Sequence, residues 1–241
     1  MTLREIKEHI GKEFGLEVGY DTVYYWLRRK FKLPYGEPFT LDKRWPDDAE
    51  GILTENLKDE LEGEEEVTPV FMDESSFYSS PSTVKVFNPG RIKVEKSREK
   101  IVVFGGLSVN GESVVVVRRA SNRWSFIDFL KALRKANPSR TILLVLDNAP
   151  YHWAAEARLT ARELGIKLCY LPPYSPDLNP IEYLWKDLKK TFAFQPFEAI
   201  KTRVEEAFLE LANDRRYTYS KAWLEKFSHI IDKHIALKQT A

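Results

Sequence analysis

The sequence predicts a mixed α/β sheet covered by helices, preceded by a small helical module. Three observations predict it. Val67–Met72, Thr141–Leu146 and Lys167–Leu171 are short apolar runs, the last two separated by a helical stretch. Strand alternating with helix is the pattern of a sheet whose faces are covered by helices. Ile101–Val109 and Ser113–Arg118 flank Asn110-Gly111, a strong hairpin signal that adds an antiparallel pair. Ahead of all this, Leu3, Ile6, Ile10 and Phe14 recur at helical spacing.

The elements follow in chain order. Thr2-Leu3-Arg4-Glu5 reads as a capping box opening the first helix, and Gly15 and Gly19 break it. Asp21 is placed to cap a second helix that contains Val23, Trp26 and Leu27 and ends in Arg28, Arg29 and Lys30. Residues 1–35 therefore have two readings. One is a helix-turn-helix; the other is a helical hairpin whose terminal basic residues suit the helix dipole. Residues 36–66 form an acidic connector, punctuated by Pro38 and Pro46, with a helix suggested by Ile52, Leu53, Leu57 and Leu61. The α/β domain spans residues 67–241. Its first strand ends at Asp73; the hairpin follows, then a helix over Trp124–Ala136. Thr141–Leu146 is apolar throughout, as in a strand buried on both faces. The helix Ala154–Leu164 stops at Gly165, a good C-cap, and the strand Lys167–Leu171 leads to a helix over Pro180–Phe192. Two more helices are expected, over 197–212 and 221–237.

The formal net charge of +1 does not announce a nucleic-acid binder, but the acidic connector hides a basic balance in the rest of the chain. The single cysteine, Cys169, excludes an internal disulfide or a multi-cysteine zinc site, and its apolar strand points to a buried inert thiol. No apolar run approaches the ~20 residues of a membrane span, and no signal-peptide core opens the chain. A soluble cytoplasmic protein is expected.

Chemistry concentrates in three acids. Asp147 follows the buried strand, in Leu146-Asp147-Asn148-Ala149-Pro150-Tyr151-His152. Asp73 follows the first strand, beside Glu74, and either could be the acid that matters. Glu182 opens a helix after Leu171-Pro172-Pro173-Tyr174-Ser175-Pro176-Asp177-Leu178-Asn179-Pro180. Acids from separate elements that meet at the carboxyl ends of strands suit a two-metal site for phosphoryl transfer. Local chemistry offers rival roles. Asp147-Asn148 suits a turn. Asn179, Pro180 and Glu182 fit the N-cap, N1 and N3 positions of a capping box. Lys186 and Lys189 share a helix face with Glu182, which suits either a DNA backbone or a solvated ion pair. Asn148 and His152 stand as supporting residues.

Taken together, Met72-Asp73-Glu74-Ser75, Leu146-Asp147-Asn148-Ala149 with His152, and the proline-rich run into Glu182 with Trp185 resemble the DDE transposases of the mariner superfamily. The nearest branch is the prokaryotic insertion-sequence 630 family. Asp147 and Glu182 have 34 residues between them, the spacing of that family. The resemblance covers residues 67–195 strongly and the first 40 loosely. It implies a ribonuclease-H-like fold with a five-stranded mixed sheet, and two Mg2+ (or Mn2+) ions bound by Asp73, Asp147 and Glu182. It implies hydrolysis of double-stranded DNA at the element's inverted-repeat ends, then attack of the freed 3′-hydroxyl on target DNA at TA. No covalent protein–DNA intermediate and no nucleotide cofactor are implied. Tyr20–Lys30 becomes a recognition helix, with Arg28, Arg29 and Lys30 on DNA. Family members usually carry two such units, whereas this chain has room for one. Synapsis of two ends implies a homodimer. Two further functions share these residues: a transposase-derived DNA-binding protein without catalysis, and a metal-dependent nuclease that never joins strands.

Overall fold

The computed structural model describes residues 3–33, 46–79, 99–193 and 195–235. The expected Thr2 cap, Pro38 and residues 236 and 237 of the last expected helix lie outside them. The chain divides into two compact units, Met1–Asp42 and Lys43–Ala241.

In the first unit α1 (Leu3–Phe14) ends where Gly15 takes φ +64° and its N–H donates to Gly11 O at 3.0 Å. α2 (Tyr20–Tyr25) opens at Gly19 with no side-chain cap, so Asp21 lies in its first turn and not at the cap. The helix continues into a wider π-helical turn, Trp26–Lys30, where the N–H of Phe31 donates to Trp26 O at 2.9 Å. Val23 is buried, while Phe14, Tyr20, Tyr25 and Phe31 stay exposed.

The second unit is built on a five-stranded mixed sheet in the order β3-β2-β1-β4-β5. The strands are β1 (Val67–Tyr78), β2 (Lys100–Ser108), β3 (Val114–Arg118), β4 (Thr141–Leu146) and β5 (Ile166–Tyr170). β1 runs antiparallel to β2 and parallel to β4, which runs parallel to β5; β2 and β3 form the expected hairpin. Helices cover both faces. α4 (Arg123–Ala136) and α5 (Ala155–Glu163) close over Val70, Met72, Phe104 and Leu144. The other face, with Phe71, Val103 and Val145, lies under α3 (Ala49–Leu61), α6 (Ile181–Thr191) and α7 (Phe197–Ile231). The expected connector helix is α3, and its Leu53, Leu57 and Leu61 are buried in that core. Asn122 caps α4, its side-chain oxygen accepting from the N–H groups of Trp124 and Ser125. Cys169 is fully buried, as expected.

Boundaries differ from expectation in three places, and in the first the last helix stops at Ile231, short of 237. β1 does not end at Asp73. Its pairing with β4 stops at Phe71↔Val145, but its pairing with β2 continues to Tyr78↔Lys100. The two expected C-terminal helices are one, α7. The polar stretch between them contains neither Gly nor Pro, and it is tied down along its length. Arg216 donates to Gly111 O at 2.8 Å, and the hydroxyl of Tyr219 donates to Asp187 at 3.0 Å. A polar interlude with partners of its own does not end a helix.

Candidate active site

Asp73 lies two residues beyond the last β1–β4 pair, where the parallel half of the sheet stops and a crevice opens. Asp147 follows β4 directly. Glu182 lies in the first turn of α6. The three carboxylates line one cavity of about 350 Å³, together with Asn148, Tyr174 and Asn179. The loop from Pro172 to Pro176 forms its wall, and Tyr174 adopts a left-handed φ of +58° there. The proline-rich run therefore shapes the cavity as well as joining β5 to α6.

The capping box at α6 does not form. The Asn179 side chain donates instead to Met72 O at 3.0 Å, stitching the start of α6 to the residue before Asp73. No side-chain cap satisfies this helix, so Glu182 is exposed toward the cavity and not folded back on its own backbone. The buried face of α6 is anchored by Trp185, which packs against Phe208 of α7. Gly105, the strand partner of Asp73, makes this approach possible. A β-carbon there would lie 2.7 Å from Trp185 Cη2 and 2.6 Å from Phe208 Cε2.

Alternation along β1 separates Asp73 from Glu74. Phe71, Asp73 and Ser75 share the α6 face, whereas Met72 and Glu74 face α4 and the turn after β4. Glu74 meets His152, whose Nε2 is 3.1 Å from Glu74 Oε1. Its Nδ1 is 3.0 Å from Asp147 Oδ1 and 3.2 Å from Asp147 O. His152 has no exposed surface and packs on Phe126 and Tyr151, at ring-centroid distances of 4.4 and 4.6 Å.

The electrostatics divide the acids. Burial lifts Asp73 well above the carboxylate range, and the charges of Glu182, Glu74 and Asp147 lift it further, with only the N–H of Glu74 opposing. Burial also raises Glu182, and Asp147 adds to this while Lys189 works against it. Asp147 goes the other way. Burial would raise it, but hydrogen bonds from His152 and the N–H of Ala149 hold it below its usual value. For His152 the strongest influence, burial, lowers the pKa, yet two carboxylate hydrogen bonds and their charges carry it to about 9. Both ring nitrogens face carboxylate oxygens, a setting that favours the protonated ring. Converging carboxylates, two of them raised by burial and by neighbouring negative charge, form a site that a hard divalent cation would relieve, and an all-oxygen donor set fits Mg2+ or Mn2+.

The sequence profile of the DDE superfamily endonucleases matches residues 68–203, more than half of the chain and all three acids. The chain belongs to the DDE superfamily of endonucleases. Within it, the chain is similar to the transposable element Tcb1 transposase of Caenorhabditis briggsae, at 36% identity over 56 residues. That match spans 23% of this chain and 20% of the relative's length. Among solved structures it resembles the mariner Mos1 paired end complex with Mg, with a TM-score of 0.60 and 18% identity, over 97% of this chain and 74% of that one. The Mos1 strand transfer complex matches with a TM-score of 0.56 and 19% identity, over 95% and 78%. At such identities the likeness shows a shared fold: the mixed sheet with helices on both faces.

Other residues of this DDE chain fall as follows. Asn148 donates to Leu171 O and so ties the end of β4 to the end of β5. Lys186 and Lys189 are exposed on α6, and Lys189 is close enough to act on Glu182. Arg28, Arg29 and Lys30 are exposed at the end of the second helix of the first unit. The sequence leaves Asp73 and Glu74 unresolved and gives no hint of the pairing of Glu74 with His152. Because both faces of β1 are buried, its apolar residues do not alternate with polar ones, and nothing in the pattern tells one face from the other.

Proposed function

We propose that this chain is a transposase of the prokaryotic insertion-sequence 630 branch of the mariner superfamily. It cuts double-stranded DNA at the ends of its element and joins the 3′-hydroxyl to target DNA at TA. The observation that carries this reading is the convergence of Asp73, Asp147 and Glu182, from three elements, on one cavity within the DDE-family segment. Two of the similar structures support it, one being a strand transfer complex and the other a paired end complex with Mg.

Asp73, Asp147 and Glu182 would hold two Mg2+ or Mn2+ ions. When bound, such ions supply Lewis acidity and charge neutralisation at a phosphodiester. The chain's own residues do the rest. Asn179 and Asn148 hold the acid-bearing elements together at the crevice. Lys186 and Lys189 offer positive charge to a DNA backbone beside Glu182. Arg28, Arg29 and Lys30 contact the inverted repeats from a helix-turn-helix formed by residues 1–35; the acidic segment 36–66 leads to the catalytic domain, 67–241, and its helix α3 packs into that domain's core. A homodimer holds two ends, and the protein acts at the nucleoid without a nucleotide cofactor.

The test is incubation with linear DNA carrying the element's ends, in Mg2+ or Mn2+, beside Asp147→Asn. Metal-dependent cuts at the ends and joined products, both lost in the variant, are expected. Cuts without joining would establish a nuclease instead, and binding without cuts by an intact chain would establish a DNA-binding relic.

A further inference from the structure

Glu74 is a carboxylate whose side chain is only 8% exposed, on the face of β1 away from the cavity, and the metal chemistry makes no use of it. Its partner, His152, is fully buried with both ring nitrogens directed at carboxylates. Phe126 lies against the ring on one side and the edge contact with Tyr151 limits it on another. The hydroxyl of Tyr170 donates to His152 O at 3.1 Å, which fixes the backbone beneath it. The ring therefore has one seat and one direction.

We infer that His152, seated on Glu74, is a positioning residue that aims Asp147 at the cation site. The inference rests on the reading of Asp73, Asp147 and Glu182 as cation ligands. The asymmetry at Asp147 is the decisive detail. His152 Nδ1, at 3.0 Å, and the N–H of Ala149, at 3.0 Å, both engage Oδ1. Oδ2 is the oxygen left for a cation. Without His152, only the N–H of Ala149 would hold this half-exposed carboxylate on the turn after the strand. The imidazole carries the rigidity of β1 across to that turn.

A rival arrangement uses the same atoms. Glu74, Asp147 and His152 each place a ligand atom within 4.8 Å of the others, close enough for a cation to sit among them. Two features argue against it. Each imidazole nitrogen already faces a carboxylate at hydrogen-bond distance, and the ring has no exposed surface. Outer partners that orient a ligand typically affect metal affinity ~10–100-fold when removed.

The test is Mn2+ binding to the full chain, followed through the free-ion signal in electron paramagnetic resonance and independent of any activity. His152→Ala and Glu74→Ala should each weaken binding by ~10–100-fold. Glu74→Gln keeps an acceptor for Nε2 and should restore affinity close to wild type. Thermal melts confirm that each variant is folded, and Glu74→Ala serves if His152→Ala is not. Pulsed spectra of bound Mn2+ should lack the coupling of a directly ligated imidazole nitrogen. Wild-type affinity in both alanine variants would overturn the inference, as would an imidazole coupling or a Glu74→Gln variant as weak as Glu74→Ala. Asp147→Asn separates the cation site from its support. If it leaves Mn2+ binding intact, the cation-site reading itself fails; if it weakens binding while both alanine variants do not, only the role of His152 fails.

Discussion

Asp73 and Glu74 are neighbours with opposite surroundings, and backbone geometry makes the difference. Successive side chains on a strand point to opposite faces, so only one of the two can reach the crevice shared with Asp147 and Glu182. Repulsion among these acids has a cost in the absence of a cation. Asp73→Asn should therefore raise the melting temperature measured in EDTA by about 2–4 °C, the shift that ~1 kcal/mol produces in a domain of this size. Added Mn2+ should stabilise the wild type and leave that variant nearly unmoved. A wild type that melts at the same temperature with and without the ion would contradict this. Glu182→Gln should abolish cleavage and change stability by less than about 0.5 kcal/mol, since its side chain is exposed and caps nothing. Equal losses of fold and activity would return Glu182 to a structural role. Cys169 supplies a control for native structure: burial pushes its thiol far up, so alkylating reagents should label it only on unfolding.

At the scale of elements, α6 is held from two sides. Asn179 pins its start to β1, and Trp185 enters the space above Gly105. Gly105→Ala should force the helix outward, destabilising the fold by ~1–3 kcal/mol and lowering cleavage beyond what the reduced amount of folded protein explains. Chemical denaturation alongside the rate on correctly folded protein would show whether the two effects separate. Much of this layer is legible in the sequence. Apolar runs mark the strands, with Gly or Pro flanking β4 and β5, and helical spacing marks α1 and α3. The misreadings share a cause. The ends of β1, α6 and α7 are decided by partners distant in sequence: β2 extends β1, Met72 O takes the amide of Asn179, and Asp187 and Gly111 O hold the middle of α7. Local patterns carry no record of such partners. Asp147 and Glu182 are legible because one follows a strand and the other opens a helix, and Asp73 because the apolar run of β1 stops there; the Glu74–His152 contact is not, because 78 positions separate the two residues.

For the whole molecule, the three acids and the basic cluster Arg28, Arg29 and Lys30 belong to separate compact units, so the cutting chemistry and the DNA contacts proposed for that cluster can be tested apart. Arg28→Ala combined with Arg29→Ala should weaken binding to inverted-repeat DNA and reduce the slope of log affinity against log salt by about 2, one for each phosphate left without its arginine. Unchanged binding would move the DNA-contact surface elsewhere. The central position of β1 has a further consequence, which concerns heredity. Its pairing with β4 before Asp73 fixes which of its side chains face α6. One codon inserted between those of Val67 and Met72 would turn every later side chain of the strand to the opposite face, setting Met72 in the place of Asp73 and the aspartate in the place of Glu74. Two inserted codons would turn them back. A gene copy could thus retain all three acids, letter for letter, and still encode a protein that cuts nothing.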